Sequence, residues 1–219
     1  PMIQLIDFNS KSSQGLILCP TRELCLQITG DLKLFARHTP NARIAAVYGG
    51  ADIRNQISLI KKGAQIIVAT PGRLLDLINR KAVTLGTVAY AGLDEADEKL
   101  DMVLQEDIDD ILKRTPADKR TWLFSATMPK AAAKIADTYM TRPVTITVGS
   151  RNKAAENISH ACYVVKEKDR YAALKRMIDY IPDIFGLIFC RTRKETQTVA
   201  DKLMKDGYNA EALHGDLSQ

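Results

Sequence analysis

The 219-residue chain is 46% hydrophobic and 26% charged, carries a net charge of +5 and has a pI near 9.0. Those values are ordinary for a folded globular protein and exclude a disordered or low-complexity chain. At this length it forms one large domain or two small ones, and the mild basic surplus permits a nucleic-acid partner without requiring one.

Short β-rich runs alternate with amphipathic stretches along the whole chain. In chain order, strands are predicted at 15–19, 43–47, 65–69, 88–93, 121–124 and 144–148, with helices at 22–37, 53–62, 73–79, 106–113 and 130–139. Such alternation predicts an α/β fold, a parallel sheet with helices on both faces. Residues 149–157 are polar and poor in large apolar side chains, the composition of a linker. The pattern then restarts with a strand at 158–165, a helix at 167–180, a strand at 186–190, a helix at 194–205 and a strand at 208–213. The expected organisation is a first domain over 1–148, a linker over 149–157 and the beginning of a second domain over 158–219. Charge does not separate the two parts, since 1–148 hold 19 basic and 16 acidic side chains and 149–219 hold 12 and 10.

Cys19, Cys25, Cys162 and Cys190 are scattered without a C-x-x-C pair, and His38, His160 and His214 are equally dispersed, a distribution that argues against a zinc site or a disulfide scaffold. Free thiols fit a reducing cytoplasm. No apolar run approaches the ~18 residues of a membrane span, and the amino terminus has no basic-then-apolar leader. A cytoplasmic location without membrane attachment is therefore expected.

The densest chemistry follows the fourth predicted strand, where Asp94-Glu95-Ala96-Asp97 places three carboxylates within four residues. In an α/β protein the carboxyl ends of strands are where magnesium and a nucleotide phosphate are held. Asp94 suits Mg²⁺, held through water, and Glu95 suits orienting and deprotonating an attacking water beside ATP. Asp97, one turn on, is placed to accept hydrogen bonds from Ser125-Ala126-Thr127, although Ser125 and Thr127 serve equally as caps on the helix near Pro129. Residues 94–110 hold nine carboxylates and a single base, Lys99, mostly a solvated face. No Gly-Lys dipeptide occurs anywhere, so no G-x-x-x-x-G-K-[ST] loop accompanies these acids.

Three other strand ends carry a basic signature. Pro20-Thr21-Arg22 and Thr70-Pro71-Gly72-Arg73 each run into a helix start, where free N–H groups and the helix dipole favour phosphate; a plain N-cap or strand-to-helix turn is the alternative. Gly49-Gly50 follows the second strand. Further on, Gly186-Leu187-Ile188-Phe189-Cys190-Arg191-Thr192-Arg193 repeats the form of Gly15-Leu16-Ile17-Leu18-Cys19-Pro20-Thr21-Arg22, and Leu213-His214-Gly215-Asp216 echoes Val47-Tyr48-Gly49-Gly50, two matches in one order that favour a duplicated domain. Loops on one sheet edge that hold phosphates bind without strong sequence preference.

Pro20-Thr21-Arg22-Glu23-Leu24, Gly49-Gly50, Thr70-Pro71-Gly72-Arg73, Asp94-Glu95-Ala96-Asp97, Ser125-Ala126-Thr127 and Ile188-Phe189-Cys190-Arg191-Thr192-Arg193 stand in the order found in DEAD-box ATP-dependent RNA helicases, which the chain resembles over essentially its whole length. The resemblance implies RecA-like domains that close on ATP, Mg²⁺ and RNA, and hydrolysis coupled to duplex unwinding. It implies backbone contacts to single-stranded or duplex RNA from Pro20, Thr21, Arg22, Gly49, Gly50, Thr70, Pro71, Gly72 and Arg73 in the first domain, and from Arg191, Thr192, Arg193 and Gly215 in the second. It makes Asp94, Glu95, Asp97, Ser125 and Thr127 the hydrolysis and coupling residues.

Departures accompany the match. The family's adenine-reading segment and phosphate loop would precede Pro1, its arginine motifs would follow Gln219, and the 219-residue chain alone is therefore expected to be inactive. Family members carry larger apolar residues at Ala91 and Gly92, often Met at Lys99, and Gly-Phe at Val103-Leu104, so the strand bearing the carboxylates is expected to be loosely packed. The rival expectations are a non-enzymatic module that binds RNA backbone and, further off, a metal-dependent nuclease built on Asp94 and Glu95.

Overall fold

A computed structural model of the chain describes residues 1–97, 102–128, 130–148, 158–181 and 183–217. The predicted linker at 149–157, Lys99 and Gln219 lie outside the described residues. The chain divides into two compact units, Pro1–Lys153 and Ala154–Gln219.

In the first unit, β1 (Gly15–Leu18), β2 (Ile44–Val47), β3 (Ile66–Ala69), β4 (Tyr90–Leu93) and β5 (Arg120–Leu123) form one parallel sheet in the order β2-β3-β1-β4-β5. Parallel neighbours need crossovers, and α2 (Arg22–Phe35), α3 (Ile53–Lys61), α4 (Pro71–Asn79) and α5 (Met102–Lys113) supply them. A short α1 (Met2–Leu5) precedes β1 and α6 (Lys130–Tyr139) follows β5.

Side chains alternate between the two sheet faces, as a period of two requires. Leu16, Leu18, Val47, Ile67, Ala69 and Leu93 pack with Leu74, Leu77, Ile111 and Ile135 of α4, α5 and α6. Ile44, Ile66 and Val68 pack on the opposite face with Met2, Cys25 and Ile28 of α1 and α2. β3 is buried throughout, which explains its unbroken Ile66-Ile67-Val68-Ala69 run. Beside it the fully buried Gln65 replaces missing ladder partners: its carbonyl accepts from the Arg43 N–H at 2.8 Å, and its amide donates to the Ser10 carbonyl at 2.9 Å and the Phe8 carbonyl at 3.2 Å.

Register carries the functional consequence. Val47 pairs with Ala69, Ala69 with Leu18, Leu18 with Leu93, and Leu93 with Leu123. All five strands therefore end level, and the loops after them leave one edge side by side.

The second unit contains a 3₁₀ turn (Glu167–Asp169), α7 (Arg170–Tyr180) and α8 (Arg193–Lys205). The Asp206 carboxylate, just past α8, accepts from the Tyr171 hydroxyl at 2.9 Å and from Lys175 at 3.0 Å, tying α7 to the end of α8.

Four predicted strands are not formed. Residues 144–148, 158–165, 186–190 and 208–213 carry no sheet ladder among the described residues. Their apolar side chains lie open, Val148 at 96%, Phe189 at 91% and Leu213 at 87% exposure. Apolar alternation records what a segment buries once paired, whereas a strand exists only through hydrogen bonds to a neighbour. Elsewhere the differences are at element ends: β1 stops at Leu18, β4 begins at Tyr90 and α4 begins at Pro71.

Candidate functional site

The loops along the level sheet edge follow the strand order, so those after β2, β3 and β1 lie beside one another and those after β4 and β5 adjoin them. Backbone bonds stitch the first residues beyond the strands: Thr70 N–H to Val47 carbonyl at 2.9 Å, Cys19 to Ala69 at 3.0 Å, Asp94 to Leu18 at 2.9 Å and Phe124 to Leu93 at 2.8 Å.

On the acidic side, Asp94 is half-buried and its Oδ1 accepts the Glu95 N–H at 3.0 Å. Glu95 is exposed and adopts φ = 49°, a left-handed conformation uncommon outside glycine and concentrated at functional sites. The turn then pairs with the neighbouring loop through Ala96 N–H to Phe124 carbonyl at 3.1 Å. Asp97 Oδ2 accepts twice from Thr127, from its N–H at 2.8 Å and its hydroxyl at 2.6 Å. The Ser125 hydroxyl lies beside the same carboxylate and donates to the Thr127 carbonyl. These hydroxyls, Ser125 foremost, hold the Asp97 carboxyl down to about 2 from 3.8. The Thr127 hydroxyl thus binds Asp97, and the Ser125 hydroxyl ties down its own loop. Asp94, Glu95, Asp97, Ser125 and Ala126 line one open cleft of about 520 Å³.

On the basic side, the Arg22 guanidinium sits 5.2 Å from the centre of the Tyr48 ring, a cation–π contact. Gly50 has φ = 80°, and a Cβ there would stand 3.2 Å from Arg22 Nη1, so only glycine fits this approach readily. Arg73 Nη1 donates to the Ala51 carbonyl at 3.1 Å, and Gln56 Nε2 to the Tyr48 carbonyl at 3.0 Å. Arg22, Gly49-Gly50 and Arg73, far apart in sequence, are thereby one cluster. A Cβ at Gly49 would meet no atom of the chain, so the space over it is open. Thr21 caps α2 by accepting the Leu24 N–H at 3.3 Å, whereas Thr70 makes no capping bond with its hydroxyl. Pro20 and Pro71 line a small apolar cavity of about 20 Å³ with Leu18, Leu93 and Asp94 beneath the edge.

In the second unit Thr192 caps α8 by accepting the Glu195 N–H at 3.1 Å, and Glu195 reaches back to the Arg191 N–H at 3.2 Å. Arg193 pairs with Asp216, and Gly215 lies beside its guanidinium. His214 Nε2 is 3.1 Å from Gln197 Oε1. The two Thr-Arg sequences therefore cap their helices alike, in keeping with their matched sequences.

Sequence reading passed over Tyr48, Ala51 and Gln56. The aromatic directly before Gly49-Gly50 was the available signal for Tyr48. The carbonyl of Ala51 carries no sequence signal, because any residue there offers it, and Gln56 reads from sequence as an ordinary polar position of α3 although its side-chain amide holds the Tyr48 carbonyl.

The fold and site together define a RecA-like α/β protein with an acidic strand-end motif. Residues 1–135 match the DEAD/DEAH box helicase family model. An ATP-dependent RNA helicase CshA of Listeria monocytogenes is 41% identical over all of this chain and 42% of its own length; the DEAD-box ATP-dependent RNA helicase CshA of Bacillus subtilis is 38% identical over all of the chain and 44% of its own. Among solved structures, a DEAD box protein from Methanococcus jannaschii aligns with the whole chain and 58% of its own at 40% identity and a TM-score of 0.63. The chain belongs to the DEAD/DEAH box helicase family. It spans about two fifths of the length of these curated relatives.

Proposed function

We propose that this chain supplies the acidic and phosphate-facing edge of an ATP-dependent RNA helicase, coupling ATP hydrolysis to RNA unwinding. The observation that carries the reading is the double hydrogen bond from Thr127 to Asp97, which joins the loop bearing the hydrolytic acids to the loop beyond β5. Any shift of the acidic turn is passed directly to its neighbour. Residues 1–148 form the first RecA-like domain on this reading, 149–157 a linker, and 158–219 part of a second.

The residues present suit Mg²⁺. The ion keeps several waters and takes one or two carboxylates plus substrate phosphates, and Asp94 offers one half-buried carboxylate at the mouth of the cleft. Mg²⁺, when bound, supplies charge neutralisation at the phosphates. Asp94 would hold it through water. Glu95, exposed into the same cleft, orients a water and takes its proton. Asp97 stays ionised at any physiological pH and keeps Thr127 oriented.

Arg22, Arg73 and the glycine-bearing turn between them meet the RNA sugar-phosphate backbone, with Pro20, Thr21, Gly49, Gly50, Thr70, Pro71 and Gly72 shaping the same edge. Arg191, Thr192, Arg193 and Gly215 do the same in the second unit. Such contacts read charge and spacing, so sequence preference is weak. The buried thiols Cys19 and Cys25 fit a cytoplasmic setting.

Glu95→Gln keeps the shape of the side chain and removes the base. In the protein that carries this chain, RNA-stimulated ATP hydrolysis is expected to fall about 10²- to 10⁴-fold with RNA affinity retained. Unchanged turnover would remove Glu95 from the reaction.

A further inference from the structure

The opposite, N-terminal edge of the sheet carries a second basic feature that the reading above leaves unused. A cleft of about 250 Å³ opens between the loop before β1, the end of α3 and the loop after α4. Lys11, Lys61 and Lys81 line it with the hydroxyl residues Ser12, Thr84 and Thr87, and its lining contains no carboxylate. None of the three lysines forms an ion pair with a described residue, and all three are exposed.

Two backbone features fix their positions. Gly63 has φ = 95°, and a Cβ at that position would stand 2.9 Å from Lys11 Cβ and 3.2 Å from Lys11 Cα. The Lys11 backbone therefore rests on the glycine that ends α3, next to Lys61. Lys81 adopts φ = 56° at the stop of α4, where its N–H bonds to the Ile78 carbonyl at 2.8 Å and the Ala82 N–H to the Leu77 carbonyl at 2.9 Å. That paired closure normally places glycine in the left-handed position. A lysine there is strained, and strain retained at an exposed side chain points to use.

Lysines at helix ends also complement the helix dipole, which accounts for part of the presence of Lys61 and Lys81. It does not account for Lys11, which belongs to no helix, nor for a lysine in place of glycine at 81.

We propose that Lys11, Lys61 and Lys81 form a second contact for RNA backbone phosphates, on the sheet edge opposite the nucleotide cleft. The proposal rests on the RNA reading above. Ammonium groups hold phosphate oxygens without reading bases. Strands of four residues span only about 13 Å, so an RNA held by the loops at one edge reaches the other when it extends a few nucleotides further.

The test is binding of labelled single-stranded RNA to the full chain across a salt series, with an oligomer of about 6 nucleotides and one several times longer. In a Lys11→Gln, Lys61→Gln, Lys81→Gly variant the log-log salt slope for the long RNA should shrink by about 2, close to 0.7 for each of three phosphates. Binding of the short RNA should not change. Lys81→Gly alone should melt no lower than the parent yet bind the long RNA more weakly, which separates the contact from a fold defect.

An unchanged slope with the long RNA overturns the proposal while leaving RNA binding at the other edge intact. Equal losses with short and long RNA overturn it too. So does inorganic phosphate that displaces long RNA from the parent at low millimolar concentration, which marks a site for small anions. Absence of RNA binding by the parent itself would instead sink the functional reading on which the proposal rests.

Discussion

Asp97 has the Ser125 hydroxyl alongside and accepts two hydrogen bonds from Thr127, neither longer than 2.8 Å. Hydrogen bonds to the charged form favour ionisation, so its carboxyl is depressed to about 2. A depressed folded-state pKa adds stability that is fully present above the unfolded value near 3.8 and is lost as pH falls through about 2. The link between the two loops should therefore hold throughout neutral and mildly acid solution and loosen only between about pH 4 and pH 2. A carboxyl-carbon NMR titration should place the Asp97 midpoint near 2, and a Ser125→Ala, Thr127→Ala double variant should move it up toward 3.8. A midpoint indifferent to the double variant would mean that these hydroxyl contacts do not form in solution. Asp94, Glu95 and Asp97 were legible from sequence because three acids after an apolar run are rare. The partner of Asp97 was legible only as an option, since hydroxyls before a helix also serve as caps.

At the scale of elements, β4 shows how composition and packing diverge. The residues Ala91 and Gly92 point to a loosely packed strand when compared with the family. Yet Ala91 is buried, and a Cβ added at Gly92 would meet Ile17 side-chain carbons at 3.5 and 3.9 Å, ordinary van der Waals contact. The site has room for one methyl and no more. Gly92→Ala is expected to stabilise the first unit by about 0.5–1 kcal/mol through lower unfolded-chain entropy and added contact. Urea unfolding measures this, and a lower midpoint would show that the neighbouring β1 cannot give. The helices of the first unit matched their patterns because each buries one face against the sheet, and the inner β3 because both of its faces are covered. The segments at 186–190 and 208–213 have the same patterns without ladders, because periodicity reports the face a segment offers and says nothing of whether a neighbour accepts it.

For the molecule as a whole, the acids, the hydroxyl loop and the arginine loops share one edge, while the 219 residues contain no Gly-Lys dipeptide to supply a phosphate-gripping lysine. The isolated polypeptide is expected to show no measurable RNA-stimulated ATP hydrolysis, for want of the lysine and the magnesium-binding hydroxyl that such a loop provides. A coupled phosphate-release assay decides it: clear turnover that Glu95→Gln abolishes would overturn the expectation.

The order of motifs along the chain determined the family, the fold class and the identity of the candidate groups, because those depend on residue type and spacing alone. Tertiary structure decided which of them meet. Level strand ends bring Arg22, Gly50 and Arg73 together across 51 residues of sequence, and Asp97 to Thr127 across 30. It also decided that the glycine at 63 seats Lys11 beside Lys61. Parallel pairing joins residues through crossovers whose register is set by the packing of whole helices, and no local pattern in the chain encodes that distance.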